Sequence, residues 1–589
     1  MSQPVDIKSE AGASMHVDRS ETPHDIQEDE DEDNFKWDFD VVTNLLALYM
    51  AYFSSTWAIS VPSSSIAFIM YEFPSDHSTT AWIAASPSLC LCVISIFLGD
   101  LSDIFGRRWF VIIGMTFGTV GMLVGGRGSS IPMIIGGQVL NGIGLTLGYL
   151  STPLLAEVVP KRWRAPIIGG GTFLAGIAGI AGQISQGAFM KYEVGGVNKG
   201  WRIGFYIGAG FFFSSLISLL LLYHPAPRPN PEGLSTQKRL IKLDWLGILL
   251  GSSGLLLFLL GLQFGGQHDW ATARVLTLLI VGGITFLAFV AWEWKGPNEG
   301  LFPASLFGHR NYAITLALNF AEGMVIFSSQ AFLPQIIVAL LSDDLVLTGV
   351  YNLPNAAGAM VGAVTAAAVA AKTREAKSIA ITGIATLTLG GGLMAIMKPG
   401  INFAAWFFPT ALIGVGIGTL GVVIPVISSI CTPNRYIATS VAVGTSIRGL
   451  GGAIGIVIFS QIWTSKLLVI LPAKVSRVAA AAGLPRSSIP QLIAALMNHD
   501  TKSLQQIPGV TPQILEAAEH AMAQAYSDSF RFIWYALIPF AAITLLVSLF
   551  LKTTREQMNM QVAAPVLHRH SAHLDTEAKK LEDHDSVRQ

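Results

Sequence analysis

The chain has 589 residues, of which 51% are hydrophobic and 13% charged, whereas a soluble domain carries roughly 25% charged residues; its apolar surface cannot be hidden from water in a soluble core. A formal charge of −1 at pH 7 supplies no basic field and sets nucleic acid aside as a partner. Three cysteines, Cys90, Cys92 and Cys431, are too few for a secreted disulfide framework.

Residues 1–40 are polar and include the acidic run Glu28 to Asp33, too charged to fold alone, so they read as a disordered acidic cytoplasmic tail with no cleavable signal. Apolar runs of spanning length then follow near 41–63, 79–98, 109–127, 131–154, 166–190 and 202–223, each close to the roughly 20 residues that cross a hydrocarbon core. A polar link at 224–243 separates this six-helix set from two further spans near 244–264 and 274–294. Six more lie near 311–334, 346–371, 377–397, 402–427, 436–463 and 531–551, before a cytoplasmic tail at 552–589. The expected fold is an all-α membrane protein of fourteen spans with the lipid bilayer as its solvent. Residues 464–530 stand apart as a long outer loop, rich in Ala, Leu and Gln, that reads as an amphipathic or partly ordered cap.

Lysine and arginine crowd the loops on one side: Arg107, Arg108, Lys161, Arg162, Arg164, Lys238, Arg239, Lys242, Lys372, Arg374, Lys377 and Arg435. Positive loops stay in the cytoplasm, so both termini are expected inside.

The loop after the second span reads GDLSDIFGRR, Gly99 to Arg108, and fits Gly-x-Leu-x-Asp-x-x-Gly-Arg-Arg, the pattern between helices two and three of the major facilitator superfamily. Gly99 and Gly106 permit a tight turn, Asp103 can face a helix amino terminus, and Arg107 can pair with a carboxylate, Arg108 being grouped with them in the same cytoplasmic gate. Six spans, two extra and six more, with a long outer loop before the last, resembles the fourteen-helix drug:proton antiporter branch. The strings GWRIGFYIGAGF, LDWLGILL and SIRGLGGAIG add to this resemblance, and LFGHRNYAITLALNFAEGMVIFSSQAFLPQ looks like the fungal trichothecene efflux pump group, close to fungal siderophore transporters. The resemblance implies two six-helix bundles plus two extra helices, a small-molecule substrate, and a proton gradient as the energy source with no cofactor and no metal. It departs from the branch where Gln138 and Asn141 take the places of the usual fourth-helix Arg and Gln, where the fifth helix keeps its glycine spacing without the proline, and where Phe53 replaces the first-helix Asp.

Ionisable groups within the spans cost several kcal/mol and invite a functional reading. Glu322 and Arg448 lie eleven and twelve residues into spans nine and thirteen, roughly 17 Å from the cytoplasmic end at 1.5 Å per residue. Glu322 is the candidate proton-coupling carboxylate; the competing reading is a structural glutamate bonded to helix backbone or to Asn319. Arg448 binds an anionic substrate, balances a carboxylate, or holds span thirteen to carbonyl groups. Gln138, Asn141, Tyr149, Gln183 and Gln186 are candidates to hydrogen-bond an oxygen-rich substrate, against the stronger reading that they join helices without any ligand. Asp343 and Asp344 lie at the outer mouth. At the inner end, Glu157 is expected to pair with Arg107, with Asp103 near Arg435 and Tyr436. Such a latch, read as a surface pair, is worth about 0–1 kcal/mol.

The functional expectation is therefore not an enzyme but a proton-coupled exporter of secondary metabolites, toxins or drugs, monomeric, in the plasma or vacuolar membrane. Proton-coupled transport of an iron chelate is the alternative, and a non-transporting membrane sensor a third.

Overall fold

The computed structural model describes residues 37–558 except 74–78, 81, 226–235, 267–268, 296–300, 302–303, 343, 434–435 and 498–506. The acidic run, most of the link, Asp343, Arg435 and most of the 552–589 tail lie outside the described residues. Among those described, fourteen helices are long and apolar enough to cross a membrane. They are α1 (Phe39–Glu72), α2 (Trp82–Phe105), α3 (Arg107–Gly126), α4 (Ile131–Gly148), α5 (Arg164–Lys191), α6 (Trp201–Leu222), α7 (Trp245–Gly265), α8 (Ala273–Lys295), α9 (Arg310–Leu340), α10 (Leu345–Thr373), α11 (Lys377–Met394), α12 (Phe403–Ile430), α13 (Ile437–Ala481) and α14 (Pro512–Ser548).

Helices α1–α6 pack together, as do α9–α14, and the two bundles meet along α5 against α10 and α2 against α13. Large side chains such as Phe213, Leu221, Leu249, Ile284, Leu287, Ile543 and Leu546 face outward. In water such a belt would aggregate; in lipid it is the covering a helix bundle needs, because the backbone is satisfied within each helix and only side chains meet the acyl chains.

Three boundaries differ from the sequence expectation, each for a local reason. First, α1 runs past residue 63 to Glu72 because that carboxylate accepts from Trp201 Nε1 at 2.9 Å and from Arg202 at 2.7 Å, fastening the far end of α1 to the start of α6. Second, the fourth span breaks at Tyr149–Leu150 and resumes as a short helix, Ser151–Val158. Pro153 lies in its first turn, where it lacks an N–H and its ring crowds the carbonyl four residues back, so the helix restarts there.

Third, the stretch 464–530 is mostly helix. Helix α13 continues unbroken to Ala481, a helix covers Ile489–Met497, and α14 starts at Pro512, where Thr511 accepts from the Ile514 N–H as its cap. Leu467, Leu471, Val475 and Ala479 form a stripe at i,i+4 spacing on α13 that meets Ile514, Ala518, Ala521 and Ala525 on α14, with Leu492 and Leu496 from the short helix. One apolar stripe per helix suffices to pack a pair outside the bilayer. Lys474 to Asp528 at 2.5 Å and the stacked rings of Trp463 and Phe530, 5.0 Å apart, tie the two extensions at their base.

The additional pair α7–α8 packs against helices of both bundles. Leu255, Leu259 and Phe289 pack on Leu89, Cys92 and Ile96 of α2, with Leu450 and Ala453 of α13 alongside, so the pair covers the line where α2 meets α13.

Candidate transport site

Between the bundles lies a small cavity whose lining includes Tyr52, Tyr149, Asn319, Glu322, Ser428 and Arg448. Its volume is about 40 Å³, enough for a few waters, whereas pockets that hold drug-sized ligands occupy roughly 300–1,000 Å³. A substrate therefore requires the bundles to part.

Glu322 on α9 and Arg448 on α13 form a two-pronged ion pair: Arg448 Nη2 donates to Oε1 at 2.6 Å and Nε lies 2.6 Å from Oε2. The reason they meet is the next residue. A Cβ on Gly323 would collide with the Arg448 carbonyl oxygen, so only glycine lets α9 and α13 approach closely enough for adjacent side chains to pair side-on. Glu322 is 1% exposed and Arg448 28%; the carboxylate is sealed behind the guanidinium. Asn319 donates to Thr315 on its own helix at 3.1 Å, leaving Arg448 as the partner of Glu322. Of the readings open for Arg448, the countercharge to a carboxylate is the one the geometry realises.

Tyr149 lines the cavity and packs edge-to-face on Tyr52 at 5.6 Å. The amides expected alongside it go elsewhere. Asn141 donates to the Ala58 carbonyl at 3.0 Å and to Gln138 at 3.0 Å, joining α4 to α1. Gln186 bonds Ser65 and the Trp201 carbonyl, joining α5 to α1 and α6. All three are buried and lie outside the cavity lining, which corrects their assignment to substrate contact. Gln183 accepts from Asn352 across the α5–α10 contact. Phe53, where the branch carries an acid, packs edge-to-face on Phe211 at 5.1 Å.

At the end of the bundles where α2 meets α3, Gly106 adopts φ 90° and turns the chain from one into the other, a conformation that favours glycine. Arg107 then pairs with Glu157 and, at 2.9 Å, with Asp103. Both members of the Arg107–Glu157 pair are nearly fully buried, at 3% and 5% exposure, so treating it as a surface latch of small energy is wrong: removing one partner of a buried pair costs about 3–5 kcal/mol. It also joins elements of one bundle. Contacts that cross between bundles here are Asp100 to Thr439 at 3.0 Å, with Gly99 against Thr439, and Arg164, which donates to the Ser429 carbonyl at the end of α12 at 2.9 Å. Arg108 donates to the Leu220 carbonyl at 3.0 Å and so holds α3 to α6. Midway, Ser446 of α13 donates to the Cys92 carbonyl at 2.6 Å. At the opposite end from the α2–α3 turn, Lys191 meets Asp344 at 2.6 Å.

A family model described as "Fungal trichothecene efflux pump (TRI12)" matches residues 6–587. The chain belongs to that family. Relatives of this chain include the "Acurin A biosynthesis cluster MFS-type transporter" of Aspergillus aculeatus, 27% identical over 89% of this chain and 92% of that one. The "MFS-type efflux pump LUC4" of a Fusarium species is 26% identical over 87% and 89%, and the "Trichothecene efflux pump TRI12" of Fusarium sporotrichioides 23% over 91% and 90%. Among solved structures, the major facilitator proton:xylose symporter XylE with a bound bromo-deoxyglucose aligns at TM-score 0.53 and 14% identity, over 89% of this chain and 98% of that one. The family member thus has the major facilitator fold, with α7 and α8 added to its two bundles.

Several residues of this pump-family site escape a reading by sequence. Tyr52 sits one position before Phe53 and gives no signal beyond being a tyrosine in a span. Asp100 and Arg164 fall within noted strings but carry no mark of which bundle they touch. Lys191 reads only as a loop lysine.

Proposed function

We propose that the chain exports small amphipathic secondary metabolites or toxins in exchange for protons, with Glu322 as the group that carries the proton. The observation that supports this most is a carboxylate–guanidinium pair buried deep between helices that line the inter-bundle cavity. An ion pair in a low-dielectric site needs both charges; neutralising Glu322 leaves Arg448 uncompensated, a change worth several kcal/mol and able to shift a two-state equilibrium. Proton uptake at Glu322 from the outer side would release Arg448, loosen the bound substrate and favour the return of the emptied cavity. Proton loss on the inner side would restore the pair.

Family membership and the names of the relatives support efflux as the direction. Export from the cell suits the plasma membrane, with the vacuolar membrane as the other destination, and a single chain holds both bundles, which suits a monomer. The test is uptake of a radiolabelled trichothecene into inverted vesicles under an imposed pH gradient. Gradient-driven accumulation should be lost in Glu322→Gln and partly kept in Glu322→Asp; accumulation by the Gln variant at the parental rate rejects Glu322 as the carrier.

A further inference from the structure

The side-on pairing of Glu322 and Arg448 uses one edge of the guanidinium. Nε and Nη2 face the carboxylate, and among the described residues nothing accepts from Nη1. The exposure is one-sided as well, since the carboxylate is sealed while the arginine is part open among the cavity-lining groups. What the cavity offers a substrate is therefore a fixed pair of N–H donors, and the acid is out of reach. Around it lie Tyr52 and Tyr149, whose edge-to-face rings supply flat apolar contact.

Charge decides what such a site takes. The pair is net neutral. A cationic substrate would meet the guanidinium. An anion would have to share Arg448 with Glu322 and leave a net negative charge in a site shut off from water, which costs several kcal/mol. A neutral molecule with a carbonyl or similar acceptor oxygen accepts from Nη1 while Glu322 keeps Arg448 in place. We infer that the cavity selects uncharged, acceptor-bearing amphipaths through the Nη1 edge of Arg448, with ionised Glu322 acting as the positioning residue that aims that edge and rejects anions. The inference rests on the same cavity being the transport site, and it extends that reading to the substrate's charge class.

The test is equilibrium binding to the full-length protein in nanodiscs, with a fluorescent coumarin carboxylic acid and its methyl ester as matched probes, read by anisotropy against empty nanodiscs. The parent should bind the ester about tenfold or more tighter than the acid, because only the acid leaves an uncompensated negative charge in the site. Glu322→Gln leaves the site net positive and should invert the preference, a gain of acid binding that mere loss of structure cannot produce. The double variant Glu322→Gln, Arg448→Gln leaves no unpaired buried charge, and should lose ester affinity about tenfold while discriminating little between the probes. An acid preference in the parent, no ester binding by the parent, an uninverted preference in Glu322→Gln, or full ester affinity in the double variant would each overturn the inference. No gradient is applied, so a failure here leaves proton-driven flux untouched, and a failure of proton coupling leaves this charge preference standing.

Discussion

Lys191 Nζ lies 2.6 Å from Asp344 Oδ2, joining the last residue of α5 to the residue that caps α10. The same carboxylate accepts from the N–H groups of Val346 at 2.8 Å and Leu347 at 3.2 Å, so one side chain both starts a helix and ties α5 to α10 across the inter-bundle contact.

Asp344→Asn keeps the helix cap but removes the charge. Spin labels on the outer ends of α5 and α10 should then report a larger separated population, on the order of twofold, since the pair is exposed and screened. The Lys191 ammonium, followed by the Leu347 and Val346 N–H groups, holds the Asp344 carboxyl below its ordinary range. A depressed carboxylate keeps its contribution above the ordinary carboxylate value and loses it as pH falls through the lowered one. The outer separation should therefore be unchanged between about pH 7 and pH 5 and increase only below about pH 4, the ordinary aspartate value. Opening near pH 6 would reject the pair as the outer closure.

Arg107→Ala removes the buried guanidinium that Asp103 and Glu157 share. A stability loss of roughly 3–5 kcal/mol is expected, visible as a lower melting temperature of the purified protein and reduced membrane abundance. Arg107→Lys should recover only part of it, because an ammonium cannot present the fork that reaches both Asp103 and Glu157. Parental melting of the Ala variant would show that the pair contributes nothing.

Gly323→Val places two methyl groups against the Arg448 carbonyl. Overpacking of this kind costs about 1–3 kcal/mol, too little to unfold a large bundle, but it pushes α9 from α13 and misaligns Glu322 with Arg448. Flux in inverted vesicles should drop on the order of a hundredfold, as expected for a displacement of about 1 Å at a site, while abundance stays near parental. Normal flux would mean that close helix approach is dispensable.

Topology is open to labelling. Cysteines at Gln237 and Ser487 in a background lacking Cys90, Cys92 and Cys431 should react with an impermeant maleimide from opposite sides of the membrane. Ser487 is exposed, whereas its neighbour Ser488 is buried and donates to the Pro508 carbonyl at 3.0 Å, so the former is the informative position. Reaction of both from one side would reject the odd number of spans, α7 to α13, that separates them.

Composition and the succession of apolar runs are enough to make this chain a membrane protein of fourteen spans, because a hydrocarbon slab of fixed thickness imposes a fixed run length on any helix that crosses it. The motif Gly99 to Arg108 likewise marks the turn between α2 and α3, and two ionisable residues deep in apolar runs, Glu322 and Arg448, announce themselves by their cost. The 464–530 stretch was legible only in part. A search for fully apolar runs passes over helices that carry a single stripe, such as Leu467 to Ala479, and those helices pack on each other beyond the bilayer.

What tertiary structure alone decided is which polar groups face which. Glu322 and Arg448 are 126 positions apart, and their pairing depends on the rotation and crossing of α9 and α13, which the absence of a side chain at Gly323 permits. The same holds for Gln138, Asn141 and Gln186. Each is a polar residue on an apolar helix in the sequence, yet whether such a group meets a cavity or a neighbouring backbone depends on helix orientation to within a fraction of a turn, and periodicity in a uniformly apolar span does not encode it. Burial of Arg107 with Glu157 is of this kind too, since their charges are plain in the sequence and their removal from water comes only from the helices that close over them.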